Sequence, residues 1–313
     1  MDSPRFQATR IGTGPLIVPN MDERMGANIN GPSLIRVPEW VPNPLGRYYL
    51  YFAHHNGAYI RLAYADSLEG QWAIHSPGTL QHAESHFPPE LDAIDPARIP
   101  LGMVAPVPHI ASPDVHLDHA ERSFRMYYHG INKDRTQVTR VATSTDGIHF
   151  DAKPGVVDNP YFRAIKYGGW HYGMAMPGIF YRSRDGITGF ERGPGLFAAN
   201  MRHSALLVRG DVLTVFYTNV GEAPPERILA ANIDLRPDWL LWQATAHSVV
   251  LEPEIAYEGA DLPLVPSIRG EITARARQLR DPAVYEEDGR LYLLYSVAGE
   301  SGIGLAKLVL HGQ

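Results

Sequence analysis

The sequence contains no cysteine among its 313 residues. Disulfide bonds and thiolate metal sites are therefore excluded. No apolar run approaches the ~18 residues that a membrane-spanning helix requires, so we expect no membrane partner. The N-terminal segment also lacks a basic stretch followed by an apolar run, which is the pattern of a signal peptide, and we therefore expect a cytoplasmic location.

Positive charge is scattered and forms no stripe. The 28 Lys and Arg are outnumbered by 34 Asp and Glu, and the formal net charge is −6. Nucleic acid is therefore not expected as a partner, and a neutral or weakly charged ligand fits better. Helical periodicity is weak as well, which favours an all-β chain.

A repeated β unit is the main feature of the chain. In its clearest copy, Arg280–Asp281–Pro282 precedes a short strand, an Asp-Gly turn and a Tyr-rich strand that ends at Ser296. The other copies also place a small or polar residue just ahead of a strand, with a Tyr-rich strand after it. The five copies begin near residues 31, 112, 159, 203 and 281. Such internal repetition indicates a repeat architecture.

Each copy predicts about four short strands, because aromatic and β-branched residues dominate between turn signals. Ser144–Gly147 and Ser183–Gly186 share a Ser-x-Asp-Gly turn, whose Asp-Gly pair tolerates the positive φ of a tight turn. The repeat predicts an all-β fold, a five-bladed β-propeller of four-stranded antiparallel blades. A two-sheet β-sandwich is the alternative, but it would not require five similar units.

We expect one propeller domain over residues 1–313. Short apolar runs within residues 5–18 predict a strand that closes the ring against the C-terminus. The repeat starts are unevenly spaced, which predicts insertions at residues 75–108 and 247–279.

In a propeller, the first strand of each blade lines the central channel, so the residues at the strand starts converge at one mouth. The candidate axial residues are Asn30, Gly31, Ser112, Asp114, Asp158, Asn159, Arg202, His203, Arg280 and Asp281. Residues that follow the second strands, His54, His55 and His129, are expected near the same mouth.

Histidine is unusually frequent, with 14 residues. Neutral imidazoles serve as metal ligands and as acid–base groups near neutral pH. Six fall in or beside predicted strands: His54, His55, His109, His129, His171 and His203. Taken singly, each is more readily a hydrogen-bonded or sugar-contacting residue. Neither HxH nor HExxH spacing occurs, so no metal ligands are assigned. We expect no required cofactor, and an axial divalent metal ion stays open.

Three segments resemble the five-bladed propeller glycosidases of families 43 and 32. Ser112–Pro113–Asp114–Val115 is similar to the Ala-Pro-Asp-Val segment whose Asp tunes the acid in family 43. Arg202–His203–Ser204 resembles a later segment whose His lies at the axis. Arg280–Asp281–Pro282 is similar to the Arg-Asp-Pro of family 32, although here it falls in the last unit. The resemblance implies a glycoside hydrolase that acts on an oligo- or polysaccharide.

The sequence departs from the family 43 pattern at two acids. The first-blade Asp-Pro reads Gly31–Pro32, and the third-blade Glu-Gly-Pro has no counterpart near Asn159–Pro160. Glycoside hydrolysis ordinarily uses two carboxylates, about 5 to 9.5 Å apart. The insertions offer further acids: Glu84, Glu90, Asp92 and Glu271.

We therefore expect Asp114, Asp281 and His203 to be catalytic, with a carbohydrate as the partner. For the two acids, a turn carboxylate bonded to backbone N–H groups is an equally good explanation. The expected substrate-binding residues are Asn30, His54, His55, His109, His129, Asn159, His171, Arg202, Glu271 and Arg280. Two alternatives remain: a polysaccharide lyase that uses His or Tyr with Arg or a metal ion, and a sugar-binding propeller without catalysis.

Overall fold

The computed structural model describes residues 1–95 and 106–311. Its strands form five separate four-stranded antiparallel sheets. The predicted five-bladed β-propeller is therefore confirmed, and the β-sandwich is wrong. Residues 96–105, which belong to the first expected insertion, lie outside the described residues. Within the described ranges, no helix has the length and apolarity needed to cross a bilayer.

The strands follow the repeat in chain order. Strand β1 (Phe6–Arg10) precedes the first blade. Blade one contains β2 (Asn30–Arg36), β3 (Tyr48–Ala53), β4 (Tyr59–Ala65) and β5 (Ala73–Gln81). Blade two contains β6 (Ile110–Asp118), β7 (Ser123–Ile131), β8 (Gln137–Ser144) and β9 (Asp151–Asp158). Blade three contains β10 (Arg163–Tyr167), β11 (Trp170–Ala175), β12 (Ile179–Ser183) and β13 (Glu191–Gly195). Blade four contains β14 (Met201–Arg209), β15 (Val212–Asn219), β16 (Ile228–Asp234) and β17 (Ser248–Leu251). Blade five contains β18 (Arg280–Glu287), β19 (Arg290–Ser296) and β20 (Ile303–Leu310).

Strand β1 completes blade five. It pairs antiparallel with β20, from Phe6 opposite Leu310 to Arg10 opposite Ala306. The first strands of neighbouring blades contact one another around the axis, and β18 contacts β2. The expected closing strand is therefore confirmed, and the N-terminus joins the last blade to the first.

The Tyr-rich second strands bind the turns of the next blade. Tyr51 on β3 donates a hydrogen bond to the Gly147 carbonyl at 2.7 Å, and Tyr127 on β7 donates to the Gly186 carbonyl at 2.7 Å. Both glycines have positive φ in the predicted Ser-x-Asp-Gly turns. The Tyr and the turn therefore act as a matched pair across each of these two blade interfaces.

The strand assignments move the boundaries of the expected insertions. Strand β5 covers the start of the first insertion, and β17 covers the start of the second. The segments between blades thus begin after Gln81 and after Leu251.

Candidate active site

A bulge with left-handed backbone opens the first strand of four blades. Gly31, Ser112, His203 and Asp281 have φ of 60°, 50°, 43° and 46°. The strand register shifts at each of these points. A bulge leaves one residue unpaired and re-aims its side chain, which suits a residue placed at the mouth of a channel.

In blade three the equivalent residue is Tyr161, not Asn159. Tyr161 has φ of 59° just before β10. Two residues further along each first strand lie Ser33, Asp114, Arg163, Ala205 and Ala283, and all five line one cavity of about 150 Å³. Arg163 follows Tyr161 by the same interval that separates Asp114 from Ser112. The sequence alignment was wrong here because Asn159–Pro160 imitates the Gly-Pro and Ser-Pro of other blades.

A cavity of about 340 Å³ lies where these strands begin. The bulges contribute Tyr161 and His203, and the turn after β3 contributes His55 and Asn56. The segment before blade five contributes Ile268, Arg269, Gly270, Glu271 and Thr273. The remaining lining residues are Pro106, His109, Gln137, Met176 and Arg202. This axial cavity brings together five of the predicted site residues: His55, His109, Arg202, His203 and Glu271.

His203, which lines the cavity, and Asp281, which lies behind it, form a histidine–carboxylate pair. Their Nδ1 and Oδ1 atoms lie 3.3 Å apart. The hydroxyl of Ser296 donates to the other oxygen of Asp281 at 3.1 Å. Burial, followed by the charges of Arg202 and Arg280, lowers the pKa of His203 well below its usual range. The ring is therefore neutral near pH 7.

Asp281 is buried and has a raised pKa. Burial is the largest cause and the charge of Glu300 the next, and together they outweigh nearby Arg residues and raise the pKa to about 6. A carboxyl with such a pKa changes its charge close to neutral pH, which is typical of proton-transfer sites.

A buried network of ion pairs supports this pair. Arg202 binds Glu226 through Nη2 at 2.5 Å and Nε at 3.0 Å. Arg280 donates to Glu300 at 2.9 Å, and its Nε lies 3.6 Å from Glu226. Each of these buried charges has a partner, so Arg202 and Arg280 serve to neutralise Glu226 and Glu300. Arg202 lines the cavity, whereas Arg280 does not.

Glu300 connects this network to His55. Its oxygens accept hydrogen bonds from Asn28 at 2.6 Å and Asn30 at 3.3 Å. His55 Nδ1 lies 3.6 Å from Glu300 Oε1. Burial opposes the ionised form, but the interaction with His55 and the charge of Arg280 lower the pKa of Glu300 to about 2. Asn30, expected to bind substrate, is buried here and holds Glu300 instead.

An aromatic stack forms another wall. The Tyr161 ring lies 4.3 Å from the His129 ring and 5.1 Å from the His203 ring, centroid to centroid. His129 is buried, and its Nδ1 has no hydrogen-bond partner within the described residues. His129 therefore supports Tyr161 from behind rather than lining the cavity.

Glu271 is the one acid among the described residues that line the axial cavity. It accepts a hydrogen bond from Asn56 at 2.7 Å, and it lies 3.8 Å from His54 Nδ1. His54 thus approaches the site through Glu271 without lining the cavity. Glu84, Glu90 and Asp92 do not line it either; Glu84, for example, accepts from the Gln81 backbone.

Asp114 lies elsewhere in the channel. It lines the smaller cavity of about 150 Å³ together with Arg163, not the axial cavity with His203. It accepts hydrogen bonds from His116 at 2.6 Å and from the Ala164 backbone at 2.8 Å. Burial opposes ionisation, but His116 and then Arg163 lower the pKa of Asp114. These contacts tie blade two to blade three.

Three further candidates also lie outside the axial cavity. His171 lines a separate cavity of about 220 Å³, and its Nδ1 lies 3.1 Å from Arg125 Nη1. Asn159 donates to the Met176 carbonyl at 3.1 Å and accepts from Tyr181 at 3.0 Å. Asp158 also accepts from Tyr181, at 3.1 Å. The sequence placed Asp158 and Asn159 near the axis and made His171 a substrate-binding residue, but each side chain is engaged within or beside its own blade.

Close packing at the axis explains why blade one has no acid at its bulge. A Cβ added to Gly31 would lie 3.0 Å from Ser112 Cα and 3.4 Å from Ser112 Oγ. Blades one and two therefore approach too closely for the aspartate that the resemblance to family 43 implies at this position, unless the backbone shifts. In residues 1–95 and 106–311, no group of three His, Asp or Glu side chains has a metal-binding arrangement.

Sequence reasoning missed Glu226, Glu300 and Tyr161. Glu226 follows β15 and Glu300 follows β19, so both lie in the turn after a second strand, as His55 does in blade one. The rule that pointed to His54 and His55 finds both glutamates only when it is extended to the whole segment between the second and third strands of blades four and five. Tyr161 was hidden by the misaligned Asn-Pro.

Solved structures share the fold at low sequence identity. A family 43 enzyme from Xanthomonas citri complexed with xylotriose has a TM-score of 0.59 at 12% identity, covering 95% of this chain and 90% of that one. A family 43 β-xylosidase/α-arabinofuranosidase from a compost metagenome has a TM-score of 0.57 at 11% identity, covering 98% and 94%. An N-acetylgalactosamine deacetylase from F. plautii, complexed with blood group B trisaccharide, has a TM-score of 0.59 at 12% identity, covering 96% and 95%.

Sequence comparison gives one relative at much higher identity. No protein-family model matches the chain. The uncharacterized protein R118 of Acanthamoeba polyphaga mimivirus is 36% identical over 307 residues, which cover 90% of this chain and 83% of the relative. The chain therefore belongs to the same family as mimivirus R118, and it has the five-bladed β-propeller fold of the family 43 glycoside hydrolases.

Proposed function

We propose that this protein is a carbohydrate-active enzyme that hydrolyses a glycosidic bond in the axial cavity, with His203 as the general base. The observation that carries the proposal is a neutral imidazole that lines the cavity and has a buried carboxylate 3.3 Å behind it. This arrangement suits proton transfer, because the carboxylate orients the ring and stabilises the imidazolium that forms.

The order of groups follows from the geometry. Nδ1 of His203 faces Asp281, which leaves the other ring nitrogen for water or substrate. Asp281 must be ionised to stabilise a protonated ring, and its pKa of about 6 makes this form available near neutral pH. Within the described residues His203 Nδ1 forms no hydrogen bond, so the 3.3 Å approach to Asp281 is an electrostatic contact. Catalytic hydrogen bonds are often poorly aligned without substrate and tighten when it binds.

Several features of the cavity support a saccharide as the ligand. Solved structures with the same fold bind xylotriose and a blood group trisaccharide. In this chain, Gln137, Asn56 and Glu271 offer polar groups to sugar hydroxyls, and the Tyr161 ring offers an apolar face. A concave site with a few convergent polar groups is typical of small-ligand binding.

Asp114 has a structural role in this proposal. His116 and the Ala164 backbone both bind its Oδ2, Arg163 Nη1 lies 3.9 Å from its Oδ1, and its side chain lines the other cavity. We therefore assign proton transfer to His203 with Asp281, and hydroxyl binding to Glu271.

A polysaccharide lyase is the second candidate, and Arg269 favours it. This exposed residue lines the cavity, donates to the Ala199 carbonyl, and forms no ion pair within the described part of the chain. A guanidinium without an acid partner could neutralise a uronate carboxylate while His203 removes the adjacent proton.

The test measures three outcomes on the same purified protein. Chromogenic glycosides report hydrolysis, uronate polymers report unsaturated products by ultraviolet absorbance, and calorimetry with oligosaccharides reports binding. We expect glycoside hydrolysis that falls by about 10²- to 10⁴-fold in His203→Gln and Asp281→Asn. The matched control is His149→Gln, which removes the ring of an exposed His–Asp pair with a 2.7 Å contact. Unsaturated products would favour the lyase, and binding without turnover would favour a sugar-binding protein. Hydrolysis that survives both site variants would overturn the assignment.

A further inference from the structure

We propose that His55, held against the buried carboxylate of Glu300, is the proton donor that complements His203. The inference rests on the proposed hydrolysis, and it replaces the usual pair of carboxylates with two histidines, each backed by a buried acid.

The position of His55 is set by two linked contacts. Its backbone N–H donates to Asn28 Oδ1 at 2.8 Å, and Asn28 Nδ2 donates to Glu300 Oε2 at 2.6 Å. The His55 ring approaches the other oxygen of Glu300 at 3.6 Å through Nδ1. The backbone is thus linked to Glu300 through Asn28, the ring faces the same carboxylate as an ion-pair partner, and the second ring nitrogen is left for the cavity that His55 lines.

Glu300 suits the role of counter-ion. It is 2% exposed and holds its charge through contacts with Arg280, Asn28 and Asn30. A fixed carboxylate next to an imidazole determines which nitrogen carries hydrogen and balances the charge of the protonated ring. A proton donor in a buried site needs such a partner.

The two pairs have different electrostatic environments. Glu300 stays ionised, with a pKa of about 2, whereas burial and the charge of Glu300 raise the pKa of Asp281 to about 6. When the surroundings of two neighbouring acids move their pKa values apart, this is a sign of distinct acid and base roles at the site. His203 is neutral and accepts a proton, so the donor must be another group at the cavity.

The other groups of the cavity suit the donor role less well. His109 Nδ1 lies 2.7 Å from the Val107 carbonyl, and no ion pair with an acid is formed by His109 in the described ranges. Burial is the largest cause that lowers the pKa of His109 to about 4, which leaves the ring neutral. Glu271 accepts a hydrogen bond from Asn56 and is placed to bind hydroxyl groups.

The step balances without another reactant. His203 takes a proton from water as the water oxygen bonds to the anomeric carbon. The bond from that carbon to the leaving oxygen breaks, and the leaving oxygen takes the proton from His55. His203 ends protonated and His55 neutral, and exchange with solvent restores both rings.

The test compares leaving groups in the wild-type protein, His55→Gln and the control His149→Gln. A donor is needed for an alkoxide leaving group and hardly needed for dinitrophenolate. We expect His55→Gln to lower kcat by about 10²-fold or more on an alkyl glycoside and only a few-fold on the dinitrophenyl glycoside.

Glu300→Gln should show the same leaving-group dependence to a smaller degree, with circular dichroism confirming that it folds. Equal losses on both substrates, or no loss on either, in a folded His55→Gln protein would overturn the assignment of His55 alone. If the wild-type protein hydrolyses no glycoside, the proposed function and this inference both fall.

Discussion

His203 and Asp281 meet across the interface of two blades, with 3.3 Å between Nδ1 and Oδ1. Each belongs to the bulge that opens its first strand, with φ of 43° and 46°. Left-handed backbone at a non-glycine residue costs free energy, typically about 1 to 3 kcal/mol, and persists where the surrounding structure enforces it. Here it aims both side chains at the axis, and the following predictions depend on that placement.

Activity should depend on the ionisation of Asp281. We expect kcat/KM to rise as the pH increases through about 6, where Asp281 loses its proton. The variant Asp281→Asn should lose this limb and retain about 10⁻² to 10⁻⁴ of the activity, since the amide cannot stabilise a charged imidazole. The measurement is a pH profile of both proteins. A wild-type profile that is flat between about pH 5 and pH 7 would contradict the role of Asp281.

Asp281 should also make stability depend on pH. Its folded pKa of about 6 exceeds the ordinary value of 3.8. The stabilising contribution is therefore fully present below 3.8 and is lost as the pH rises through about 6. The loss amounts to about 3 kcal/mol. Urea unfolding at several pH values should show that the free energy of unfolding of Asp281→Asn lacks this loss. The difference between the variant and the wild-type protein should therefore shift in favour of the variant as the pH rises.

Glu226 should be necessary for folding stability. The variant Glu226→Gln leaves Arg202 without its acid partner in a buried site, and breaking such a pair costs about 3 to 5 kcal/mol. Glu286→Gln removes the acid of a 2.8 Å pair with Arg209, both partners being partly exposed, and should cost about 0 to 1 kcal/mol. Thermal and urea unfolding compare the two. Equal costs would mean that the buried network adds little.

Gly31 should tolerate no side chain at the axis. The variant Gly31→Ala places a Cβ 3.0 Å from Ser112 Cα, and crowding of this kind costs about 1 to 3 kcal/mol. Gly210→Ala is the matched control, because Gly210 has φ of +57° but nothing within 4 Å of an added Cβ. The difference in unfolding free energy isolates the contact between blades one and two. A smaller loss at Gly31 than at Gly210 would show that the axis can relax.

Asp114→Asn distinguishes a structural acid from a catalytic one. Asp114 is held ionised by His116 and Arg163, so the variant should weaken the interface of blades two and three and lower the free energy of unfolding by about 1 to 3 kcal/mol. We expect kcat to change less than about 10-fold. Steady-state kinetics and urea unfolding on one preparation provide the answer. A large fall in kcat without loss of stability would show that Asp114 is catalytic.

Much of the architecture was predictable because a propeller repeats local signals. The Asp-Gly turns, the Tyr-rich strands and the polar residue before each first strand recur, and each is decided within a few residues. The same locality explains the mistake at Asn159, since a short motif can imitate the repeat two residues early. The backbone conformation of Tyr161 and the place of Arg163 beside Asp114 distinguish the two.

By itself, the sequence determined the number of blades, the closing strand, and the axial positions of His203 and Asp281, because these follow from local motifs that recur in each copy and from the apolar runs near the N-terminus. The tertiary structure decided which acids meet which bases. It paired His203 with Asp281 and His55 with Glu300, and it placed Asp114 in a different cavity. Such pairings depend on how closely neighbouring blades approach and how their charges are buried, and neither is encoded in a local motif.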